Sequence, residues 1–137
     1  MKEFSKSWKS SKKPNKQRKY LANAPLHIRR KFLSAHLSKE LRAKYKKRAF
    51  PVRKDDKVLV SKGQFKKTKG KVVDVNLKKA KVYIDSVQLV KKDGSKVFYP
   101  LHPSNLIITD LNLEDNERVK ALTRSNKDVT SEKNKNS

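Results

Sequence analysis

Three groups of residues in this chain have side chains able to act on, or hold, another molecule: three histidines, one adjacent pair of aspartates, and a run of lysines bracketed by glycines. Imidazole serves as a proton relay or a metal ligand. His27 and His36 fall nine residues apart, His102 is remote from both, and the stretch between residues 20 and 50 has only Glu40 as a carboxylate. A ligand set needs supporting carboxylates, so each histidine is read as a surface donor, with His102 holding the turn at residues 100–104. Asp55 and Asp56 could exchange protons as an acid–base pair, but no nucleophile, glycine cradle or second acidic cluster accompanies them. A turn or a salt bridge to nearby lysines is the better account. With no cysteine, thiol nucleophiles, disulfides and Cys-based zinc or iron–sulfur sites are excluded. No catalytic constellation is found, and no cofactor, metal or small-molecule substrate is expected.

The third group is a binding feature. Residues 56–75 read as a strand, a basic loop with Gly63 and Gly70 at its ends, and a second strand. Both glycines permit positive φ and close approach of backbone to a ligand, and Lys62, Lys66, Lys67, Lys69 and Lys71 surround the loop with charge. From these residues alone, a phosphate-facing loop and a plain hairpin turn kept soluble by its lysines are equally good accounts.

Charge supplies the context. The 137 residues hold 37 Lys+Arg against 13 Asp+Glu, a net charge of +24, with 34% hydrophobic residues. Such a field attracts a polyanion, nucleic acid before an anionic membrane surface. Residues 1–54 carry 19 basic and two acidic side chains, residues 55–122 carry 14 and nine, and residues 123–137 carry four and two. Residues 1–19 are basic and polar without a following apolar run, so secretion is not expected, and no stretch is long and apolar enough to span a bilayer. An intracellular, soluble, monomeric protein is expected, with residues 1–19 a disordered arm and residues 125–137 a disordered, solvated tail.

Two periodicities lie between these ends. Over 25–45 the spacing is helical: Ile28 and Phe32 are four apart, as are Leu37, Leu41 and Tyr45. Asn23 is placed to cap a first helix near Pro25, and Ser38 a second, with Glu40 in its first turn. Lys39, Arg42 and Lys46 form a basic stripe opposite the seam. Alone it would be a solvated face; the net charge favours phosphate contact. From Lys57 the period is two, with Val58 and Val60, Val73 and Val75, Val82 and Ile84, Val87 and Leu89, Val97 and Tyr99, then residues 106–108. Five or six short strands in about fifty residues suggest a closed barrel. A short helix is expected within residues 112–124, with Val119 and Leu122 inward.

The 56–75 unit resembles the KOW motif of SH3-like barrels in ribosomal proteins and elongation factors, with one departure: Lys67 stands where that motif usually has a second loop glycine. The resemblance widens with Lys16-Gln-Arg-Lys-Tyr20, Asn23-Ala-Pro-Leu-His-Ile-Arg-Arg30, Leu33-Ser-Ala-His-Leu-Ser-Lys-Glu-Leu-Arg42, Pro51-Val-Arg-Lys-Asp-Asp56 and Leu101-His-Pro-Ser-Asn105. Residues 15–122 are similar to the archaeal and eukaryotic form of the universal large-subunit ribosomal protein L-twenty-four, L-twenty-six in eukaryotes. The resemblance implies a mainly β fold: an SH3-like barrel over 51–111, a basic helical extension over 20–50 and a short C-terminal helix. It also implies a cytoplasmic, ribosomal protein that binds the 5′ region of large-subunit ribosomal RNA, acts early in subunit assembly, and lies near the exit tunnel beside neighbouring large-subunit proteins.

Structured RNA is gripped through its shape by distributed Lys and Arg. The expected contacts are Lys12, Lys13, Lys16, Arg18 and Lys19 in the arm; Tyr20, Arg29, Arg30, Lys31, His36 and Arg42 in the extension; Arg53 and Lys54 at the barrel's start; the five loop lysines with Gly63; and His102. Trp8, Tyr20 and Phe65 could stack on bases; for Tyr20 and Phe65 the other account is packing on the barrel, for Trp8 plain exposure. A KOW transcription factor fragment and a charge-only DNA coater are the rival identities. The first calls for an exposed apolar patch, the second for equal binding of duplex DNA and RNA.

Overall fold

The computed structural model describes residues 4–5 and 10–133. The extension folds as α1 (Pro14–Asn23), α2 (Leu26–Phe32), β1 (Ser34–Leu37), α3 (Lys39–Tyr45) and β2 (Ala49–Pro51). Proline is tolerated at the start of α1, where its missing N–H is not needed, and residues 14–19, within the stretch expected as an arm, are helical. Asn23 ends α1 and does not cap α2, whose N-cap is Pro25. Ser38 caps α3 as expected, its hydroxyl accepting from the Leu41 N–H at 3.4 Å.

The helical pattern over 25–45, read as two helices, is interrupted between them by β1. Leu33, Ala35 and Leu37 are buried while Ser34 and His36 are half-buried, a period of two that the Leu37–Leu41–Tyr45 spacing masked. The remaining strands are β3 (Lys57–Val60), β4 (Lys69–Asn76), β5 (Lys81–Ile84), β6 (Gln88–Val90), β7 (Lys96–Phe98) and β8 (Leu106–Asp110). One bent sheet runs in the order β2-β1-β8-β3-β4-β5, and β6-β7 form a separate hairpin. β1 pairs parallel with β8 and antiparallel with β2. The sheet therefore begins inside the extension, at Ser34, and not at residue 51.

The fold is a small SH3-like barrel. Its far edge closes where Val82 and Leu101 exchange backbone hydrogen bonds at 2.8 and 2.9 Å. Val58, Val60, Val72, Val82, Ile84 and Ile108 fill the interior. Val73 is not among them: Val72 pairs with Ile84 and Asp74 with Tyr83, so Val73 is the extra residue of a β-bulge and is turned outward. Leu89 and Val97, expected to alternate inward, are also exposed, because the β6-β7 hairpin has no sheet beneath it.

The closing helix α4 (Asn116–Lys133) is longer than expected and enters the segment read as a tail; residues 134–137 lie outside the described ones. Leu122 is fully buried and Val119 half-buried. The unexpected inward residue is Arg118. Its guanidinium makes two parallel bonds of 2.6 Å to the buried carboxylate of Asp56, and donates to the carbonyls of Asn112 (2.7 Å) and Pro51 (3.2 Å). Asp56 also accepts from the backbone N–H of Arg53 and of Asn112, both at 2.9 Å.

Removing one charge of such a pair leaves the other buried and unpaired. Asp56→Asn should cost about 3–5 kcal/mol in urea denaturation. Asp55→Asn, whose partner Lys71 is exposed, should cost at most about 1 kcal/mol.

Candidate nucleic-acid interface

The β3–β4 loop is built from its backbone. Gly63 adopts φ 96° with open space where a Cβ would stand. Lys67 N–H donates to Val60 O at 2.8 Å, Val60 N–H to Thr68 O at 2.9 Å and Thr68 N–H to Phe65 O at 3.1 Å. Closing the loop this way puts Lys67 at φ 72°, the left-handed conformation that a glycine takes without cost. Lysine at that position therefore leaves the glycine-like geometry intact. Gly70 serves differently: a methyl there would overlap Ser86 Oγ, Ile84 Cγ2 and Asp85 Oδ1, so its close approach is to the protein's own β5 end and not to a ligand. Lys62, Lys66, Lys67 and Lys69 are exposed; Lys71 is exposed but paired with Asp55 at 2.9 Å. Phe65 packs against Tyr99, ring centroids 5.1 Å apart, and against the core.

In the extension, Lys12, Lys13, Lys16, Arg18 and Lys19 are exposed on or beside α1, which buries no residue. Tyr20 lies between Phe4 and Phe32, at centroid distances of 4.9 and 5.9 Å, in an aromatic cluster of the extension itself. Trp8 lies outside the described residues. Arg29 holds the α1–α2 turn, its Nε donating to Ala24 O at 2.9 Å and its guanidinium also to Ala22 O. Arg42 Nε donates to Leu37 O at 2.9 Å. Arg30 and Lys31 are exposed. His36 Nδ1 is buried without a hydrogen-bond partner among the described residues. His102 caps the turn Pro103–Asn105: its Nδ1 accepts from Ser104 N–H at 3.2 Å and lies 2.7 Å from Ser104 Oγ. Lys44, Lys47 and Arg48 join this cationic surface and were not singled out by motif; the basic run of residues 44–48 was the available signal. Lys47 Nζ donates to Ala121 O, tying α3's end to α4.

The charges are distributed unevenly. The described ion pairs are Arg53–Asp115 (2.6 Å), Lys54–Asp74 (2.9 Å), Lys57–Asp110 (3.4 Å), Lys71–Asp55, Arg118–Asp56 and Lys120–Glu117 (2.9 Å). Every one lies beyond residue 52. Among the described residues of the extension, no Lys or Arg has a carboxylate partner. The barrel's own pairs shift their members in the expected directions. The Arg53 guanidinium, then the Glu117 N–H, holds Asp115 below the usual carboxylate range; Lys54 does the same to Asp74, and Asp55 raises Lys71. The lowered carboxylates stabilise the fold above their unfolded values and lose that contribution as pH falls through the folded ones. Lys71 contributes below its unfolded value and loses its share as pH rises through the folded one. All are exposed, so each effect is small.

Fold and charge define a small basic β-barrel module whose helical extension carries unneutralised cations. Residues 11–125 match the family of ribosomal proteins called L26 in eukaryotes and L24 in archaea. Over 114 residues the chain is 48% identical to the large ribosomal subunit protein uL24 of Methanosphaera stadtmanae, covering 83% of this chain and 97% of that relative. The chain belongs to this family. It is a structural component of the large ribosomal subunit, in the cytoplasmic ribosome, and not an enzyme.

Two outcomes test this geometry. Lys67→Gly should raise stability by up to about 1 kcal/mol in urea denaturation, since the left-handed backbone costs a lysine about that much. In an NMR titration of side-chain carboxyls, Arg53→Ala should move Asp115 up toward the ordinary range and leave Asp74 unchanged.

Proposed function

We propose that the chain binds the 5′ region of large-subunit ribosomal RNA directly, acts early in subunit assembly, and lies near the polypeptide exit tunnel beside neighbouring large-subunit proteins. The observation that carries the RNA part is the separation of charges: Asp55, Asp56, Asp74, Asp110, Asp115 and Glu117 are each paired with a cation beyond residue 52, while Lys12, Lys16, Arg30, Lys31, Lys39 and Arg48 have no carboxylate partner among the described residues. A surface of unpaired cations repels itself until counter-charge arrives. Phosphates at the spacing of folded RNA supply that charge, and arginine forks bind them with two bonds. The assembly and tunnel parts rest on family membership.

The same arrangement sorts the expected contacts. Arg30, Lys31, Lys62, Lys66 and Lys69 are available to phosphate, and His102 is exposed beside its turn. Arg29 and Arg42 also hold backbone carbonyls, so they are contacts whose loss would loosen the extension as well. Arg53, Lys54 and Lys71 reach RNA only by sharing or leaving their carboxylates. Tyr20 and Phe65 have intramolecular ring partners, which favours packing over base stacking for both.

Filter binding over a salt series tests the proposal, with the 5′ domain of large-subunit rRNA compared against duplex DNA of equal phosphate content. The rRNA complex should survive salt that dissolves the DNA complex. Arg30→Ala combined with Lys31→Ala should weaken the rRNA complex about tenfold and leave the thermal unfolding of the barrel unchanged. Equal salt sensitivity of RNA and DNA would overturn specific binding and leave a charge-only coater.

A further inference from the structure

A cavity of about 730 Å³ opens where the extension meets the barrel, between α2, β2, the end of β4 and the start of α4. Its volume falls in the range of sites that take small organic ligands. Leu33, Phe50, Val52, Val75 and the partly exposed Leu77 supply its apolar lining. Phe50 is a fixed wall: the Arg118 guanidinium lies 5.5 Å and Lys47 Nζ 5.6 Å from its ring centroid. The rim is charged. Its two carboxylates are already engaged, Asp115 by Arg53 and Glu117 by Lys120. Arg30 and Lys31, on the α2 side, are exposed and without a carboxylate partner among the described residues.

An occupant must therefore combine a compact apolar body with an anionic group at one end. An unstacked nucleotide presents a flat base for the walls and a phosphate for the two free cations, and folded RNA extrudes such nucleotides at bulges and loops. We propose that this cavity holds one extruded nucleotide of the bound RNA, its base against Val75 and Leu77 and its phosphate at Arg30 and Lys31. The proposal rests on the RNA-binding reading above and adds to it a pocket that reads a base as well as backbone shape.

Binding of the full chain to three RNA hairpins tests it: one with a single bulged adenosine, one with an abasic residue at the bulge, and one fully paired. The adenosine bulge should bind about tenfold more tightly than the abasic one, since burying a base against the apolar walls is worth about that factor. The methyl NMR signals of Val75 and Leu77 should shift with the adenosine bulge and not with inorganic phosphate or AMP at equal concentration. Leu77→Ser, an uncharged change at a partly exposed position, should abolish the tenfold preference and leave affinity for the paired hairpin within twofold. Should that variant fail to fold, the comparison of the three hairpins on the unaltered protein still decides. Equal binding of the adenosine and abasic bulges with unmoved methyls would overturn the pocket and spare the RNA-binding reading. Methyl shifts produced by phosphate would make it an anion site, and by AMP a free-nucleotide site, either of which also overturns the proposal. Dissociation of all three hairpins at the salt that releases duplex DNA would instead count against the RNA-binding reading itself.

Discussion

The buried pair Asp56–Arg118 is the constraint around which the rest is arranged. Asp56 heads β3, Arg118 sits in the first turns of α4, and their shared bonds reach the carbonyl of Pro51 at the end of β2 and both backbone groups of Asn112 beyond β8. Two stretches distant in sequence, residues 51–56 and 112–118, are thus fixed at one point. Taking two ions out of water costs several kcal/mol each, and only full hydrogen bonding offsets that. Here Asp56 accepts four bonds and Arg118 donates four, with the two bonds between them counted on both sides. In a chain of net charge +24, this pair also joins the closing helix to the barrel without relying on apolar area, which a domain of this size has in short supply.

The period-two strands from Lys57 onward were legible because each has one wet and one buried face, and alternation records that directly. Two details escaped. The bulge at Val73 inserts one residue, so the inward positions shift from 73 to 72, and nothing local marks the site. The β6-β7 hairpin shows the same alternation as a core strand, yet Leu89 and Val97 are exposed because no layer covers them. β1 was hidden for the opposite reason. Its Leu33–Ala35–Leu37 alternation has only three inward positions and overlaps a valid helical spacing; the parallel partner that decides between them, β8, lies about seventy residues away.

The binding surface was legible by charge and only partly by residue. Counting showed that residues 1–54 hold most of the excess. It could not show that Arg29 and Arg42 turn inward to backbone carbonyls, that Tyr20 is enclosed by Phe4 and Phe32, or that Lys71 is neutralised by Asp55. A cation's partner depends on tertiary neighbours, and those of Arg53 and Arg118 are 62 residues away in the chain. Family likeness located the loop glycines but left Lys67 as an exception. The backbone resolves it: the loop's hydrogen bonds require a left-handed residue there, and lysine accepts the strain.

The insertion of β1 and β2 into the barrel's sheet changes what the extension can be. A helical arm joined by a flexible linker would follow whatever shape its partner offers, losing conformational entropy on binding. Here Leu37 N–H bonds Arg48 O at 3.1 Å, Ser38 N–H bonds Ile108 O at 2.9 Å and Val52 N–H bonds Leu33 O at 3.1 Å, so α3 leaves the sheet at a fixed point and its Lys47 is anchored to α4. The cations of α2 and α3 therefore stand at set positions relative to the lysines of the β3–β4 loop. Recognition of folded RNA by shape demands fixed separations between cations, because phosphates at the wrong spacing are then refused as well as the right ones accepted. Sheet pairing supplies that rigidity through backbone hydrogen bonds, which leaves Arg30, Lys31 and Lys39 without a carboxylate partner among the described residues, whereas Arg29, Arg42 and Lys47 also hold backbone carbonyls.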